Sequence, residues 1–180
     1  SGVTLIFCGH IYNMDELQKR ARLFLPNAED RKPADVLLTL YLQDRNWLLR
    51  EINAKFVAAV CQGEDIILIR DKIGEEQIYY VAQGKNFVFA SEIKQILTAF
   101  RTCDLQFPDS VKLFETPIDD ETMFGGVRKV EAGSEVYANP NTGDISRRRY
   151  WKLVSLPHLQ LSELEFEEHF QDLLRDSIIR

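Results

Sequence analysis

Cys8 and His10, near the start of the chain, have side chains suited to covalent or acid–base chemistry. Alternate residues of a β-strand point to the same face, so a strand through this stretch would place both on one side. The pair could then act as a nucleophile with its base, or supply half of a metal site. The alternative is that Cys8 is a small buried apolar residue and His10 the polar end of a strand.

The other charged positions have structural interpretations beside functional ones. Arg70 and Asp71 end an apolar run, which is typical of a functional site and equally of a pair that braces the following loop. Glu92 and Lys94 are interpreted as helix-surface or cap partners. The basic run 147–149 is expected on a solvated face.

The composition narrows the functional classes. The 180 residues are 45% hydrophobic, enough for a full core, and a net charge of -6 disfavours nucleic acid or an anionic membrane as a partner. No apolar run approaches the ~20 residues that span a bilayer, and no signal peptide is indicated. Three scattered cysteines without a Cys-x-x-Cys pair argue against a disulfide frame or a structural zinc site, and favour a reducing, cytoplasmic compartment.

Four short runs in the middle of the chain are rich in Val, Ile, Phe and Tyr and lie between turn residues. This pattern is typical of consecutive antiparallel strands, here at residues 56–61, 65–70, 77–82 and 86–90. Several of the runs are apolar at successive positions rather than alternate ones. We therefore expect their sheet to be covered on both faces, by a second sheet or by helices.

The segment before these strands predicts a strand followed by a helix. Residues 3–8 are apolar throughout and are expected to form a strand that Gly9 ends. Asn13 is predicted to cap a helix over 14–24, with Glu16 completing a capping box.

Three further helical stretches are predicted from their apolar spacing. Residues 34–43 repeat the helical pattern, and residues 47–52 form a short apolar turn or helix that leads into the central strands. After the last of those strands, Ser91 can cap a helix over 92–100.

The second half of the chain is less regular. Residues 101–121 are expected to be an irregular excursion with one helical turn near 109–114. Residues 134–138 and 145–150 predict a hairpin whose loop is 139–143.

A linker over 156–161 precedes a predicted helix that starts at Ser162 and runs to the end. No Gly or Pro stops this helix, so Arg180 is interpreted as a cut end within a longer pattern. Its expected buried side consists of Leu164, Phe166, Phe170, Leu173, Leu174 and Ile178.

Several segments, in this order, resemble the N-terminal glutaminase half of asparagine synthetases. Residues 8–13 match a family strand end Asn-Gly-Glu-Ile-Tyr-Asn, and Phe-Ala-Ser-Glu-Ile-Lys is intact at 89–94. The other similar segments are 32–38, 70–80, 126–133 and 149–151. The motif residues expected to be structural are Arg70, Asp71, Gly74, Tyr80, Ser91 and Glu92.

The resemblance implies an α+β fold, an αββα Ntn-hydrolase sandwich of two antiparallel sheets between helical layers. It implies a glutaminase-like domain over 1–155, and over 156–180 a linker and the first helix of a truncated ATP-dependent synthetase domain. ATP and Mg are expected for that missing domain and no cofactor for this chain. The implied partner is a synthetase-type domain in the same or another chain, with a homodimer also open.

The residues that the family uses on glutamine differ here. The family nucleophile is an N-terminal Cys upstream of the matching strand, and Ser1 is the candidate that this chain offers in its place. Cys8 matches the oxyanion-hole Asn, and its partner Gly is kept as Gly9. His10 matches the Glu that holds the substrate amine, and Pro33 matches the substrate Asp. The resemblance therefore implies a site degenerate for glutamine hydrolysis.

Three functional hypotheses follow. The preferred one is a structural domain that packs against an amide-forming synthetase domain without hydrolysing glutamine. The second is a fragment of an ordinary glutamine-hydrolysing asparagine synthetase. The third is a stand-alone interaction module.

Overall fold

Two antiparallel sheets form the centre of the computed structural model, which describes residues 2–99, 120–155 and 161–179. The strands are β1 (Val3–Ile11), β2 (Ala54–Gln62), β3 (Asp65–Arg70), β4 (Tyr79–Gln83), β5 (Asn86–Ala90), β6 (Arg128–Lys129), β7 (Ser134–Asn139) and β8 (Asp144–Arg149). One sheet has the order β1-β2-β3-β7-β8 and the other β5-β4-β6. The helices are α1 (Met14–Ala21), α2 (Pro33–Glu51), α3 (Ile93–Ala99) and α4 (Glu163–Ile179), with a 3-10 turn at Ala28–Asp30.

The apolar residues form three layers that alternate with the sheets. In β2, Phe56, Ala58 and Val60 face α1 and α2, while Val57 and Ala59 face the second sheet. A third cluster packs α3 on the outer side of the smaller sheet, through Val81, Ile96 and Val127. The predicted α+β sandwich of two sheets between helical layers is confirmed, as is the prediction that the central strands are covered on both faces.

Most of the predicted strands are confirmed. The bounds of β3 and β5 agree with prediction, β2 and β4 differ by one or two residues at their ends, and the hairpin of β7 and β8 is present. The two-residue strand β6 was not predicted, because a pair of charged residues has no period to detect. It is defined by its pairing with β4, at Tyr80↔Arg128 and Tyr79↔Lys129.

The two helical stretches predicted at 34–43 and 47–52 are parts of a single element, α2, which is kinked at Asp44. Asp44 has φ -154° and ψ 87°, which are not helical, and its Oδ1 accepts a hydrogen bond from the N–H of Trp47 at 2.9 Å. Asp44 therefore caps the second half of α2 as an N-cap residue would. The chain turns here so that residues on both sides of the break, such as Leu40 and Leu48, are buried in the same core.

The prediction that Gly9 ends the first strand is wrong. β1 continues to Ile11, in register with Ala54 of β2. Gly9 has φ +145°, and a Cβ at this position would lie 2.1 Å from the carbonyl oxygen of Lys55. Glycine is needed for the close approach of the two backbones, so it continues the strand instead of breaking it.

The first strand is covered on one face only. Val3, Leu5 and Phe7 pack against the helical layer, whereas Ile6 and Cys8 on the opposite face are exposed. The smaller sheet covers the neighbouring β2 but does not reach β1.

The capping box at the start of α1 is wrong, although the helix does begin after Asn13. The Asn13 side chain donates to the carboxylate of Glu16 at 3.1 Å and to the carbonyl of Glu51 at 3.0 Å. Its Oδ1 accepts from the N–H of Asn53 at 2.9 Å. Asn13 thus joins the end of β1 to the end of α2. The helix also ends at Ala21, earlier than predicted, which leaves Phe24 exposed.

The predicted buried side of the last helix is wrong in this chain. The expected core residues of α4, from Leu164 to Ile178, are between 49% and 76% exposed. An amphipathic stripe identifies a face suited to burial, but not the surface that covers it. No helix in the described ranges is long and apolar enough to cross a bilayer. Ser1, the predicted turn at 109–114 and most of the linker over 156–161 lie outside the described residues.

Replacing Gly9 with alanine tests the close approach of β1 and β2. Positive φ strain and steric overlap each cost about 1–3 kcal/mol, so we expect Gly9→Ala to lower the free energy of unfolding by about 3 kcal/mol or more. The matched control is Gly63→Ala, where φ is +59° and no atom lies within 4 Å of the added methyl group. It should cost about 1–2 kcal/mol. Urea denaturation checks both variants, and equal losses would contradict this role of Gly9.

Candidate functional site

The side chain of Asp71 is fully buried at the end of β3 and accepts backbone hydrogen bonds on both carboxylate oxygens. Four donors belong to the loop that follows, and the fifth is in β2. They are the N–H groups of Ile73, Gly74, Glu75, Glu76 and Phe56, at distances of 2.6–3.4 Å. Because a buried carboxylate must be paired or hydrogen-bonded, these donors offset its loss of hydration.

The guanidinium of Arg70 binds carbonyl groups of the same loop. Its Nε donates to the carbonyl of Glu76 at 2.6 Å, Nη2 to that of Gly74 at 2.6 Å and Nη1 to that of Val130 at 2.8 Å. Burial lowers the pKa of Arg70, yet a guanidinium stays charged at neutral pH. Gly74 has φ +73° and a Cβ there would lie 3.0 Å from the guanidinium, so the loop needs glycine at this point.

The segment after β8 closes onto this pair. The Tyr150 hydroxyl donates to the carbonyl of Arg70 at 2.6 Å, and the Tyr150 N–H donates to the carbonyl of Gly133 at 2.8 Å. The N–H of Gly133 in turn donates to the carbonyl of Asp71 at 2.7 Å. Burial raises the pKa of the Tyr150 hydroxyl above its ordinary value of 10.0. Arg70 and Asp71 are therefore occupied by main-chain groups, which supports a structural role over a substrate-binding one.

The basic run Arg147–Arg149 lies on an exposed face, as predicted, and its side chains also pair with carboxylates. Arg147 donates to the Tyr80 hydroxyl at 3.0 Å, and its Nη2 lies 2.7 Å from Asp120 Oδ2. Arg149 pairs with Glu131. Burial also raises the pKa of Tyr80, so Tyr80 stays protonated as the acceptor in this cluster.

Glu135 of β7 is the second fully buried carboxylate. Its Oε2 lies 2.5 Å from Arg45 of α2 and 2.7 Å from Arg148 of β8. Sequence reasoning missed this pair. The signal was present in the predicted hairpin, since its register places Glu135 directly opposite Arg148. Because Arg45 directly follows the kink at Asp44, these ion pairs connect α2 to the sheet at the kink.

The remaining motif residues lie on the surface. Ser91 is exposed just before α3, and Glu92 forms an exposed ion pair with Lys94 at 2.5 Å. An exposed pair of this kind contributes about 0–1 kcal/mol to stability. The interpretation of Glu92 and Lys94 as surface partners agrees with this geometry.

The candidate catalytic residues lie on the uncovered face of β1. Cys8 is opposite Val57 and His10 opposite Lys55 in the register with β2, so both side chains share one face, and both are exposed. The His10 ring packs edge-on against Tyr12, with centroids 5.1 Å apart. Within the described ranges, no group of three His, Cys, Asp or Glu residues could hold a metal ion. Pro33, which the family resemblance matches to a substrate-binding position, begins α2.

Tyr150→Phe tests the closing contact through its pH dependence. At pH 8 the lost hydrogen bond should lower the free energy of unfolding by about 1 kcal/mol. Above pH 10 the unfolded chain loses the Tyr150 proton while the folded protein keeps it, so this tyrosine's stabilising effect falls as pH rises. The deficit of Tyr150→Phe should therefore shrink at alkaline pH.

Urea midpoints measured at pH 8 and at alkaline pH check this expectation. The exposed Tyr12→Phe serves as the control and should change neither value. A deficit for Tyr150→Phe that is the same at both pH values would contradict a buried, protonated hydroxyl.

Comparison with known proteins agrees with this geometry. Residues 1–151 match the glutamine amidotransferase domain family. Two relatives from Bacillus subtilis (strain 168) are asparagine synthetase [glutamine-hydrolyzing] 1, 26% identical over 178 residues, and asparagine synthetase [glutamine-hydrolyzing] 3, 32% identical over 183 residues. The alignments cover 97% and 98% of this chain but only 28% and 29% of those proteins.

Solved structures show the same fold at low sequence identity. Glutamine phosphoribosylpyrophosphate amidotransferase from B. subtilis superposes with a TM-score of 0.56 at 16% identity, over 84% of this chain and 30% of that one. An allosteric regulatory enzyme of purine biosynthesis gives 0.58 at 14% identity, over 84% and 29%. The chain therefore belongs to the glutamine amidotransferase domain family, has its Ntn-hydrolase fold, and is similar to the N-terminal domains of asparagine synthetases.

Proposed function

We propose that this chain is the glutaminase-like domain of an asparagine-synthetase-type protein that forms amides with ATP, and that it does not hydrolyse glutamine. Its role is structural, as the packing partner of a synthetase domain in the same or another chain. The observation that carries this proposal is the exposed face of β1, where Cys8 and His10 replace the amide and carboxylate implied by the family resemblance.

Each substitution removes a specific interaction with glutamine. A thiol is a poor hydrogen-bond donor, so Cys8 cannot replace an asparagine amide in stabilising an oxyanion. Loss of one such donor costs about 3 kcal/mol of transition-state stabilisation in well-studied enzymes. His10 supplies no carboxylate for a substrate ammonium group, and neither does Pro33 at the start of α2. These deficits are independent of which residue would serve as nucleophile.

The structural role is supported by α4 and by the size of the relatives. The apolar face of α4 is exposed along its length, and burial of such a face against another domain is favourable by about 25 cal/mol per Å². The chain spans less than a third of the length of the synthetases it matches. We therefore assign α4 to the contact with a synthetase domain, which would bind ATP and Mg outside this chain, in the cytoplasm.

The similarity to the two B. subtilis proteins favours one other function. Both B. subtilis proteins are glutamine-hydrolysing synthetases, so this chain could be part of an active enzyme of that kind. In that case Cys8 and His10 would have to bind glutamine in a different way from the family pattern. The two proposals differ in one measurable property, the use of glutamine.

The test is to incubate the purified protein with glutamine and to measure both ammonia release and glutamine binding by calorimetry. We expect no ammonia above the buffer rate and no binding heat, since the groups that hold the substrate are replaced. The B. subtilis asparagine synthetase 3 serves as the positive control. Steady ammonia release would establish the glutamine-hydrolysing alternative, and glutamine binding without hydrolysis would refute the loss of the substrate site.

A further inference from the structure

We propose that one water molecule is bound inside this protein between α2 and β7, where it bridges Tyr41, Arg45 and Glu135. Each of these side chains has a polar atom that is buried and forms no hydrogen bond within the part of the chain that the structure describes. The three atoms are Tyr41 Oη, Arg45 Nε and Glu135 Oε1. Buried polar groups in native proteins are nearly always paired, with protein or with ordered water. Three unpaired atoms on neighbouring side chains therefore indicate one shared partner.

The contacts within this cluster explain why these atoms are left over. Glu135 is fully buried, and both of its arginine partners, Arg45 and Arg148, approach the same oxygen, Oε2. Arg45 reaches Glu135 with Nη2, so its Nε is not used in this pair. The Cζ atom of Arg45 lies 5.9 Å from the centre of the Tyr41 ring and 4.7 Å from the centre of the Tyr137 ring. The guanidinium thus stands between the carboxylate and the tyrosine.

The partner has to be small, because the cluster is closed to the outside. Glu135 has no exposed area and Tyr41 is only 8% exposed. A polypeptide that docks on the surface of this chain cannot reach atoms at this depth. The groups that line the site belong to α2 and β7 themselves, so their arrangement is independent of what covers the surface.

The three leftover atoms also determine the chemistry of the partner. Glu135 Oε1 can only accept a hydrogen bond, Arg45 Nε can only donate one, and the Tyr41 hydroxyl can do either. Burial raises the pKa of Tyr41, so this hydroxyl keeps its proton. A cation at this point would be repelled by the guanidinium, and an anion by the carboxylate. A neutral molecule that both donates and accepts satisfies all three atoms, and water is the smallest of this kind.

The bound water makes three hydrogen bonds, the usual number for a buried water. It donates to Glu135 Oε1, accepts from Arg45 Nε and bonds to the Tyr41 hydroxyl. Tyr41 precedes the kink of α2 at Asp44 and Arg45 follows it. The water therefore connects both parts of the kinked helix to β7.

A cavity of about 20 Å³ beside Tyr41 is a different place from this site. Its other walls are apolar side chains, among them Leu37, Leu48 and Phe7. One water needs roughly 10–15 Å³, but a cavity with apolar walls stays dry. The cavity instead gives the Tyr41 ring space to move, so that a water can enter on the polar side of the ring.

The first experiment uses wild-type protein only. In solution, the Arg45 Nε–H should show a nuclear Overhauser effect to a water of long residence time. A high-resolution crystal structure should show one water within hydrogen-bond distance of Tyr41 Oη, Arg45 Nε and Glu135 Oε1. The proposal is overturned if these atoms bond directly to one another, if an ion lies between them, or if the Arg45 Nε–H shows no contact with a long-lived water.

The second experiment counts long-lived internal waters by oxygen-17 relaxation dispersion. Tyr41→Phe removes one of the three partners and should shorten the residence time of the bound water about tenfold, as expected for loss of a buried hydrogen bond. The matched control, Tyr12→Phe, removes a hydroxyl from a residue that is 36% exposed and should leave the dispersion unchanged. A dispersion that is the same in Tyr41→Phe and wild type would contradict the assignment. If Tyr41→Phe does not fold, the wild-type measurements decide.

Discussion

The buried carboxylate of Asp71 is the interaction on which the rest of the structure depends. It fixes the loop after β3 by accepting four of its N–H groups and ties that loop to β2 through a fifth. Arg70 extends the network by donating a hydrogen bond to the carbonyl of Val130. The N–H of Val130 in turn donates to the carbonyl of Ile78, which directly precedes strand β4 of the smaller sheet. One dipeptide thereby links both sheets. Burial removes water from the charged side chains of Arg70 and Asp71, and this loss of hydration is offset only while all of these hydrogen-bond partners stay in place.

This network is separate from the strand face that carries the candidate catalytic residues. Arg70 and Asp71 lie inside the sandwich, whereas Cys8 and His10 lie on the uncovered face of β1. Substitution on an exposed strand face costs little stability compared with loss of a buried hydrogen-bonded charge. The amidotransferase fold can therefore persist when the residues on that face change. This separation allows the structural motifs to stay intact whichever residues stand on that face.

Sequence reasoning succeeded where local composition determines the structure. The strands β2 to β5 and the hairpin are bounded by turn residues and have enough apolar positions to be buried, so their pattern identifies them. It failed where the partner is distant in sequence. Asn13 bonds to Glu51 and Asn53 instead of capping its own helix, and the carboxylate of Glu135 is met by Arg45 from another layer. The stripe on α4 predicted burial, but the surface that would cover it is not among the described residues.

The most direct test of this account is native-state hydrogen exchange of the N–H groups of residues 73–76. A loop of this length on a protein surface normally exchanges by local opening at little cost in free energy. Because these amides are bound to the Asp71 carboxylate, we expect at least those of Gly74 and Glu76 to exchange only on global unfolding, with the same denaturant dependence as the β3 amides. Exchange by a denaturant-independent local fluctuation would show that the carboxylate does not hold the two sheets together.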